Sequence, residues 1–511
     1  MKGSRALLLV RGAAVTAVAA LGAGSAAVVP AAAGAAVAPA AAAAVQVVPF
    51  AAGHILAAGK MTQPPTTAQC ETKYHIACYQ VSQLQTAYDL APLFSKGIEG
   101  KGETIVIVDA FGSPSIASDL NTFDSQMGLP NPPSFQVITP EGPITTTPKN
   151  CTKTYSPTGP DLCSDYLGWT DETSLDVEWS HAMAPEANIL LVETPMTETE
   201  GVTGFPQIVA AENYVIDHHL GDVITQSFGA NELTFTSPDQ IYSLRSAYIN
   251  AARQGVTVLA ASGDQGATDD SCNPSSGCAN PANVACCSST RAIDWPSSDP
   301  LVTGVGGTQL QLNAAGDRTA PDSVWHDLSS TVGVTGPAYT WGSSGGGLST
   351  VFSRPKFQDG LGDTVGDSRG TPDISMSGAV NGAVDYYDTS DPSTNGWGIV
   401  GGTSEASPLF SGIVALADQV AGHSLGYLNP DLYALAQSKG SNGIVPISQG
   451  SNSYTFCIAA DISAKNSSCA SSSDLVTVPG FQANGSYNDA TGWGTVDAAT
   501  FVPALAQFGQ W

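Results

Sequence analysis

The sequence predicts an α/β fold in which a mainly parallel sheet is flanked by helices within a single large domain. Short runs rich in β-branched residues alternate along the chain with longer stretches of helical character. This alternation is typical of parallel sheets whose strands are connected by helices. Small and polar residues follow several of the runs, at the position where active sites of α/β proteins usually lie.

Four runs are short and apolar enough to be strands buried on both faces; they cover 102–110, 187–194, 222–229 and 256–263. Helices are predicted between them, at 172–183, 205–218 and 239–254. The chain contains no internal repeat and no convincing linker. A single large domain is therefore favoured over several smaller ones.

The charge composition excludes two classes of partner. Of 511 residues, Lys and Arg number 18 against 45 Asp and Glu, which gives a formal net charge of −27. Nucleic acids and anionic membranes are bound by cationic surfaces, so neither is expected as a partner. A low number of Lys and Arg also limits repulsion between positive charges when the carboxylates are protonated in acid. The composition therefore has two interpretations: a protein that works in acid, or an ordinary acidic secreted protein.

The first 44 residues are predicted to be a secretory signal peptide. Lys2, Arg5 and Arg11 precede a long Ala-rich apolar run, and small residues offer cleavage sites between 27 and 44. A membrane anchor is the alternative, but prolines interrupt the run and Ala contributes little transfer energy. We therefore expect a secreted, extracellular protein without a membrane span.

The ten cysteines agree with export. None forms a C-x-x-C pair, so zinc-ribbon and thioredoxin spacing is missing. Local disulfides in an oxidising compartment are expected for four close pairs: Cys70 with Cys78, Cys151 with Cys163, Cys272 with Cys278, and Cys457 with Cys469. Cys286 and Cys287 are adjacent and require other partners, which the sequence does not define.

The strongest chemical signal is the segment GGTSEASPLFSGIVAL at 401–416. Ser404 precedes an apolar helix with Pro408 near its start, so we expect its hydroxyl at a surface-facing turn beside the helix N-terminus. The N–H groups and dipole there stabilise developing negative charge, which suits a nucleophile and its oxyanion. The alternative is that the serine is only an N-cap.

An acidic segment, DETSLDVEWSHAMAPEA at 171–187, places Glu172 and Asp176 on one face of a helix. Two neighbouring carboxyl groups cannot both ionise easily, so one of them keeps a proton. Such a pair can take the proton of a serine and return it to a leaving amine without a histidine. The alternative is that Glu172, Asp176 and Glu178 form a solvated helix face.

The segment AASGDQGA at 260–267 ends a predicted strand with Asp264. A protonated aspartic acid can donate a hydrogen bond to an oxyanion, whereas an ionised carboxylate only accepts. The alternative is an ordinary turn residue.

These segments together resemble the sedolisin family of serine-carboxyl peptidases, from about Tyr79 to the end of the chain. Further similar segments are YQVSQLQTAYDL, WPSSDPLVTGVGGT, SGGGLSTVF, RGTPDIS, LGYLNPDLY and ATGWGTVDA. The resemblance implies a subtilisin-like α/β peptidase domain at 79–511, after a short extension at 45–78. Family members usually carry a long folded pro-domain, for which 45–78 is too short, so maturation is expected without one or with help from a separate chain.

The resemblance also implies the roles of the site residues: Ser404 as nucleophile, Glu172 as base, Asp176 as its partner and Asp264 as oxyanion donor. Asp109 lies where a subtilisin has its catalytic aspartate, but in sedolisins that task belongs to Asp176, so Asp109 is interpreted as structural. The implied activity is hydrolysis of proteins or peptides at acidic pH by a monomer.

A calcium site is a second point at which the chain departs from the family. The family places an Asp before an Ile/Val-Thr pair and another ahead of a Thr-Gly, whereas here Pro446 precedes Ile447 and Asn488 holds the later position. Because Ca²⁺ prefers oxygen ligands that include carboxylates, we expect a weak or absent site. Ile447 and Asn488 remain as candidate ligands, and Asp461 offers an alternative alignment.

Two other functions are consistent with parts of the sequence. A neutral subtilisin-type protease needs a His-Gly-Thr-His string, and none of the seven histidines stands in one. A non-catalytic secreted binding or surface protein on a peptidase scaffold would normally have lost a catalytic residue, and all four are present.

Overall fold

The computed structural model describes residues 48–49, 55–144, 162–195, 204–268, 290–332, 336–457, 472 and 475–508, all within one compact unit. Within these residues no helix is long and apolar enough to cross a membrane. The predicted signal segment 1–44 and the alternative ligand Asp461 lie outside them. So do Cys286 and Cys287 and at least one member of three predicted cysteine pairs: Cys151 with Cys163, Cys272 with Cys278, and Cys457 with Cys469.

The described residues form the following elements. The strands are β1 Val48–Pro49, β2 Ile55–Met61, β3 Cys78–Tyr79, β4 Thr104–Ala110, β5 Phe135–Ile138, β6 Asn188–Thr194, β7 Val223–Gln226, β8 Phe228–Asn231, β9 Thr257–Ala261, β10 Asp294–Trp295, β11 Thr303–Gln309, β12 Ser323–Val324, β13 His326–Leu328, β14 Thr340–Ser343, β15 Gly347–Ser353, β16 Ser368–Thr371, β17 Ile374–Ser377, β18 Ala383–Asp388, β19 Gly396–Val400, β20 Ile444–Val445, β21 Tyr454–Cys457, β22 Leu475–Val478 and β23 Thr495–Val496. The helices are α1 Thr67–Tyr74, α2 Val81–Ala87, α3 Ala91–Phe94, α4 Ile116–Met127, α5 Leu162–Met183, α6 Gly204–Asp217, α7 Pro238–Leu244, α8 Ser246–Gln254, α9 Gly362–Val365, α10 Thr403–Ala421, α11 Asn429–Ala436 and α12 Ala498–Phe508.

The central sheet has eight strands in the order β12-β11-β9-β7-β4-β6-β5, with β17 also paired to β11. All of its pairings are parallel except that between β11 and β12. The predicted α/β fold with a mainly parallel sheet is therefore confirmed. The carboxyl ends of β4, β6, β7 and β9 lie at one edge of this sheet, because neighbouring parallel strands end on the same side.

Strand β4 shows how the sheet separates two cores. Successive side chains of a strand point to opposite faces. Ile105 and Ile107 pack in a core with α4, α5, α10 and α12, whereas Val106 and Val108 pack in a second core with α6 and α8. The long apolar helix α10 thus lies against one face of the sheet, alongside the acidic helix α5.

Three predicted elements differ from those observed. Helix α5 begins at Leu162, ten residues before the predicted start. The predicted strand 222–229 is interrupted at Ser227, whose hydroxyl and carbonyl contact other elements as described below. The predicted helix 239–254 divides at Arg245, whose guanidinium binds Asp299.

The segment before Tyr79 packs against the strand that leads to the nucleophile. Strand β2 pairs antiparallel with β19, and β3 pairs with β18. Cys70 and Cys78 form a disulfide with a Cα–Cα distance of 5.8 Å, which confirms one of the four predicted pairs and fixes α1 to β3.

Candidate active site

The nucleophile segment connects β19 to α10 through two glycines. Gly402 has a φ of 145°, a conformation that L side chains rarely adopt. A Cβ on Gly401 would lie only 2.8 Å from the backbone nitrogen of Val380. The glycines therefore permit the sharp entry into α10, which begins at Thr403 and places Ser404 in its first turn.

Ser404 is held by Ser227. The Ser404 hydroxyl donates to the Ser227 carbonyl at 3.4 Å. Pro408 has no N–H and cannot donate to the Ser404 carbonyl as a regular helix would require; the Ser227 hydroxyl lies 3.4 Å from that carbonyl instead. The expectation of a surface-facing serine is wrong, because α10 is buried from Thr403 to Asp418.

Helix α5 carries Glu172 and Asp176 one turn apart, and both are fully buried. Asp176 Oδ1 accepts a hydrogen bond of 2.8 Å from the Ser227 hydroxyl. Ser227 thus contacts Asp176 through its hydroxyl and the predicted nucleophile Ser404 through its carbonyl. The alternative of a solvated helix face is excluded, because Glu178 is buried as well.

Burial raises the pKa of Asp176 well above its usual range, and the negative charges of Asp109 and Glu172 raise it further. The hydrogen bond from Ser227 lowers this pKa in part. The protonated form of Asp176 is consequently favoured, as expected for one member of a coupled carboxyl pair.

Asp109 belongs to the same acid cluster. Burial raises its pKa to about 7, while a hydrogen bond from Thr173 lowers it and the charge of Glu193 raises it. Glu193 stands directly opposite Asp109 on the neighbouring parallel strand β6. From the sequence we interpreted Asp109 as structural and did not single out Glu193. The available signal was that both acids lie near the carboxyl ends of predicted strands.

Asp264 follows β9 and binds the first residue of α10. Its Oδ1 accepts from the Thr403 backbone N–H at 2.7 Å and from the Thr403 hydroxyl at 2.8 Å. The Thr403 hydroxyl accepts from the backbone N–H of Gly263 at 3.0 Å. The carboxyl group of Asp264 is therefore fixed beside the N-terminus of the helix that carries Ser404.

Glu405 is a buried acid next to the nucleophile that we did not single out from the sequence. Burial raises its pKa well above the usual range, the Ser377 hydroxyl lowers it, and the negative charge of Asp264 raises it again. The buried environment and the nearby charge of Asp264 therefore favour the protonated form of Glu405.

Strand β8 provides a backbone edge directly after Ser227. It pairs with β10 on one side, and on the other it pairs antiparallel with β1, where Val48 is opposite Gly229 and Pro49 is opposite Phe228. The edge of β8 that follows Ser227 is thus paired with an extended segment of the same chain, and main-chain pairing of this kind is a common mode of peptide recognition.

Comparison with known protein families identifies the family of this chain. The model of the subtilase family, Peptidase_S8, matches residues 167–431, slightly more than half of the chain. The chain belongs to the subtilase family. All four predicted site residues lie inside the matched range.

Individual relatives place this subtilase on the sedolisin branch. Kumamolisin from Bacillus sp. is 30% identical over 348 residues, which cover 67% of this chain and 53% of the relative. Sedolisin from Pseudomonas sp. is 28% identical over 299 residues, which cover 58% and 43%. The chain spans about half the length of these curated relatives. The predicted membership of the sedolisin family is confirmed.

A solved structure of Pseudomonas sedolisin, described as a serine-carboxyl proteinase complexed with two molecules of pseudo-iodotyrostatin, shares the fold of this subtilase. Its TM-score is 0.63 at 23% sequence identity, and the match covers 85% of this chain and 99% of that one. The predicted subtilisin-like architecture is therefore confirmed.

The part of the chain that the structure describes contains no group of three or more His, Cys, Asp or Glu side chains suited to a metal ion. Ile447 and Asn488, the candidate calcium ligands, are both buried, and their oxygens accept hydrogen bonds within the protein.

Proposed function

We propose that this sedolisin-family protein is a secreted serine-carboxyl endopeptidase that hydrolyses peptide bonds in proteins at acidic pH. The observation that carries the proposal is the position of Ser227, which contacts Asp176 through its hydroxyl and Ser404 through its carbonyl. Asp264 binds Thr403, the residue before Ser404. These contacts, which link Asp176 and Asp264 to the N-terminus of the helix that carries Ser404, support the roles proposed for them.

In the first half of the reaction, Ser404 Oγ forms a bond to the carbonyl carbon of the substrate, and its proton passes to the ionised carboxylate of Glu172. Asp176, which its surroundings keep protonated, limits the negative charge on the pair and so lets Glu172 act as a base. When the C–N bond breaks, Glu172 returns the proton to the leaving amine. The products are the free amine and an acyl ester on Ser404.

In the second half, water replaces the amine. Glu172 takes a proton from the water molecule. The water oxygen bonds to the acyl carbon, and the bond between that carbon and Ser404 Oγ breaks. The proton then returns to Ser404, which restores the starting state. The net change is one water consumed for one peptide bond cleaved.

The negative oxygen formed in both halves needs hydrogen-bond donors. Asp264 Oδ1 is engaged as an acceptor by both donors of Thr403, so the acidic proton that faces the oxyanion is assigned to Oδ2. Such a donor exists only while Asp264 is protonated, because an ionised carboxylate only accepts. Activity is therefore proposed in acid, because Asp264 must be protonated to donate and the surroundings of Asp176 favour its protonated form.

The substrate is proposed to be an extended polypeptide. Strand β8 begins at Phe228, one residue after Ser227, and it already pairs antiparallel with the short strand β1. Because β10 pairs with the other edge of β8, a substrate would bind in this way by taking the place of β1, and it would bring a peptide bond beside Ser404 with little dependence on its side chains. This mode of binding favours internal cleavage of unfolded proteins.

The decisive experiment is the rate of hydrolysis of a denatured protein as a function of pH, measured for the wild type, Ser404→Ala and Glu172→Gln. We expect an optimum in acid that both variants lose. An optimum near neutral pH would instead support a subtilisin-type protease. Binding of the denatured protein without turnover would support a non-catalytic protein on a peptidase scaffold.

A further inference from the structure

By the family resemblance, the loop 484–492 corresponds to one half of a calcium site. It lies beside Pro446 and Ile447, which follow strand β20 and supply the other half. Calcium takes six to eight oxygen ligands, usually with several carboxylates. Neither position that should carry a carboxylate has one, since Pro446 and Asn488 stand there.

Several oxygens at and beside this loop accept hydrogen bonds within the protein. The Ile447 carbonyl accepts from the backbone N–H of Gly485 at 2.9 Å. This contact joins the two halves directly, without an ion between them. Asn484 Oδ1 accepts from both the backbone N–H and the hydroxyl of Ser486, at 3.0 and 2.7 Å.

Asn488 organises the rest of the loop. Its Oδ1 accepts from the backbone N–H groups of Ala490 and Thr491, both at 3.1 Å, and from the Thr491 hydroxyl at 3.2 Å. Its Nδ2 donates to the Ser486 carbonyl at 3.1 Å. An amide can perform both tasks, whereas a carboxylate has no donor.

The only acid of the loop, Asp489, lies against strand β16, where a Cβ on Gly370 would be 2.5 Å from its Oδ1. Asp489 is buried, and burial raises its pKa to about 8 while the charges of Arg369 and Arg291 lower it in part. A side chain influenced by two arginines is poorly suited to complete a cation site. The donor set of the loop therefore does not fit calcium.

We propose that hydrogen bonds centred on Asn488 and on the Ile447–Gly485 contact replace the calcium ion of the family in this protein. The loop 484–492 then keeps its shape in the absence of divalent metal. Removing these hydrogen bonds destabilises the protein equally with and without calcium. Restoring both carboxylates makes stability dependent on calcium.

The test is thermal unfolding of the full chain, measured in calcium chloride and in EDTA. The wild type should melt at the same temperature in both. Asn488→Ala loses three accepted hydrogen bonds and one donated bond, so its melting temperature should fall by several degrees in both conditions. A fall of many degrees for the wild type in EDTA, reversed by calcium, would overturn the proposal and would point to ligands such as Asp461.

A variant that restores both carboxylates provides the complementary measurement. Pro446 is exposed, and Asn488→Asp preserves the oxygen that accepts from Ala490 and Thr491. The double variant Pro446→Asp, Asn488→Asp should melt at a higher temperature in calcium than in EDTA and should bind calcium in titration calorimetry. If this variant folds and shows no calcium dependence, the proposed exchange of hydrogen bonds for an ion is wrong. If it does not fold, the wild type and Asn488→Ala still decide the question.

Discussion

Replacing Asp264 separates its role as an oxyanion donor from its role in fixing α10. Asp264→Ala removes the donor and also leaves the backbone N–H and hydroxyl of Thr403 without their acceptor Oδ1. Loss of one oxyanion donor typically lowers turnover about 10²–10³-fold, which corresponds to about 2.7–4 kcal/mol. The two lost hydrogen bonds should lower the free energy of unfolding by about 1 kcal/mol each.

Asp264→Asn distinguishes protonation from geometry. The amide keeps an oxygen that can accept from Thr403 and supplies an N–H donor that does not titrate. This variant should be slower than the wild type at the acid optimum, because the strength and direction of the donor differ. Its activity should fall less steeply, or at higher pH, on the alkaline side, unless ionisation of the Glu172–Asp176 pair sets that limit first.

The assay is turnover of one peptide substrate from acid to neutral pH, with urea unfolding of each protein at the same pH values. Thr403→Val is the matched control, because it removes the hydroxyl that donates to Asp264 at 2.8 Å and accepts from the Gly263 N–H at 3.0 Å but leaves Asp264 in place. We expect less than about tenfold loss of turnover, because neither of these neutral hydrogen bonds reaches the oxyanion. Wild-type activity of Asp264→Ala at every pH would refute the oxyanion assignment. Equal losses in Asp264→Ala and Thr403→Val would mean that Asp264 acts only by fixing α10.

Three further predictions concern other residues. Ser404→Ala should abolish hydrolysis and Glu172→Gln should lower it by orders of magnitude, with near-native circular dichroism; substantial turnover by the serine variant would place the nucleophile elsewhere. Ser227→Ala should lower kcat more than it raises KM, because the lost hydroxyl positions Asp176 and Ser404; an effect on KM alone would contradict this role. Burial raises the pKa of Glu212 from 4.5 to about 8, so the stability it contributes is complete below about pH 4.5 and is lost as pH rises towards about 8, by about 3 kcal/mol at about pH 7. Urea unfolding at about pH 5 and about pH 7 should show a smaller difference for Glu212→Gln than for the wild type, and an equal difference would refute the assignment.

The four proposed site residues were singled out from the sequence because their signals are local. Ser404 is part of a contiguous string, and the spacing of Glu172 and Asp176 alone places both on one helical face. Asp264 ends a strand whose apolar pattern is clear. The structure brings Asp176 and Ser404 to Ser227 and brings Asp264 to Thr403.

The residues that were missed depend on contacts between distant parts of the chain. Ser227 looked like an ordinary strand residue, and only the packing of α5 and α10 around it reveals its two contacts. Asp109 and Glu193 become neighbours because β4 and β6 pair in register, although α4, β5 and α5 lie between them in the sequence. Strand order and register follow from the packing of the whole domain, so periodicity within one segment does not contain them.

The burial of Ser404 illustrates the same limit. A serine after two glycines and before a helix was expected at the surface, since loops at strand ends are usually exposed. The packing of α10 against α5, α12 and the sheet covers its first turns instead. An apolar helix indicates burial of the helix, but which of its turns is covered depends on neighbours elsewhere in the sequence.

The most direct test of the mechanism is to trap the acyl ester at acidic pH. The enzyme is mixed with an activated ester of a short peptide and quenched within one turnover, and the modified residue is located by mass spectrometry. The mechanism predicts an acyl group on Ser404 in the wild type, none in Ser404→Ala, and much slower formation in Glu172→Gln. Acylation of another residue, or equal rates for the wild type and Glu172→Gln, would contradict a serine nucleophile activated by the carboxyl pair.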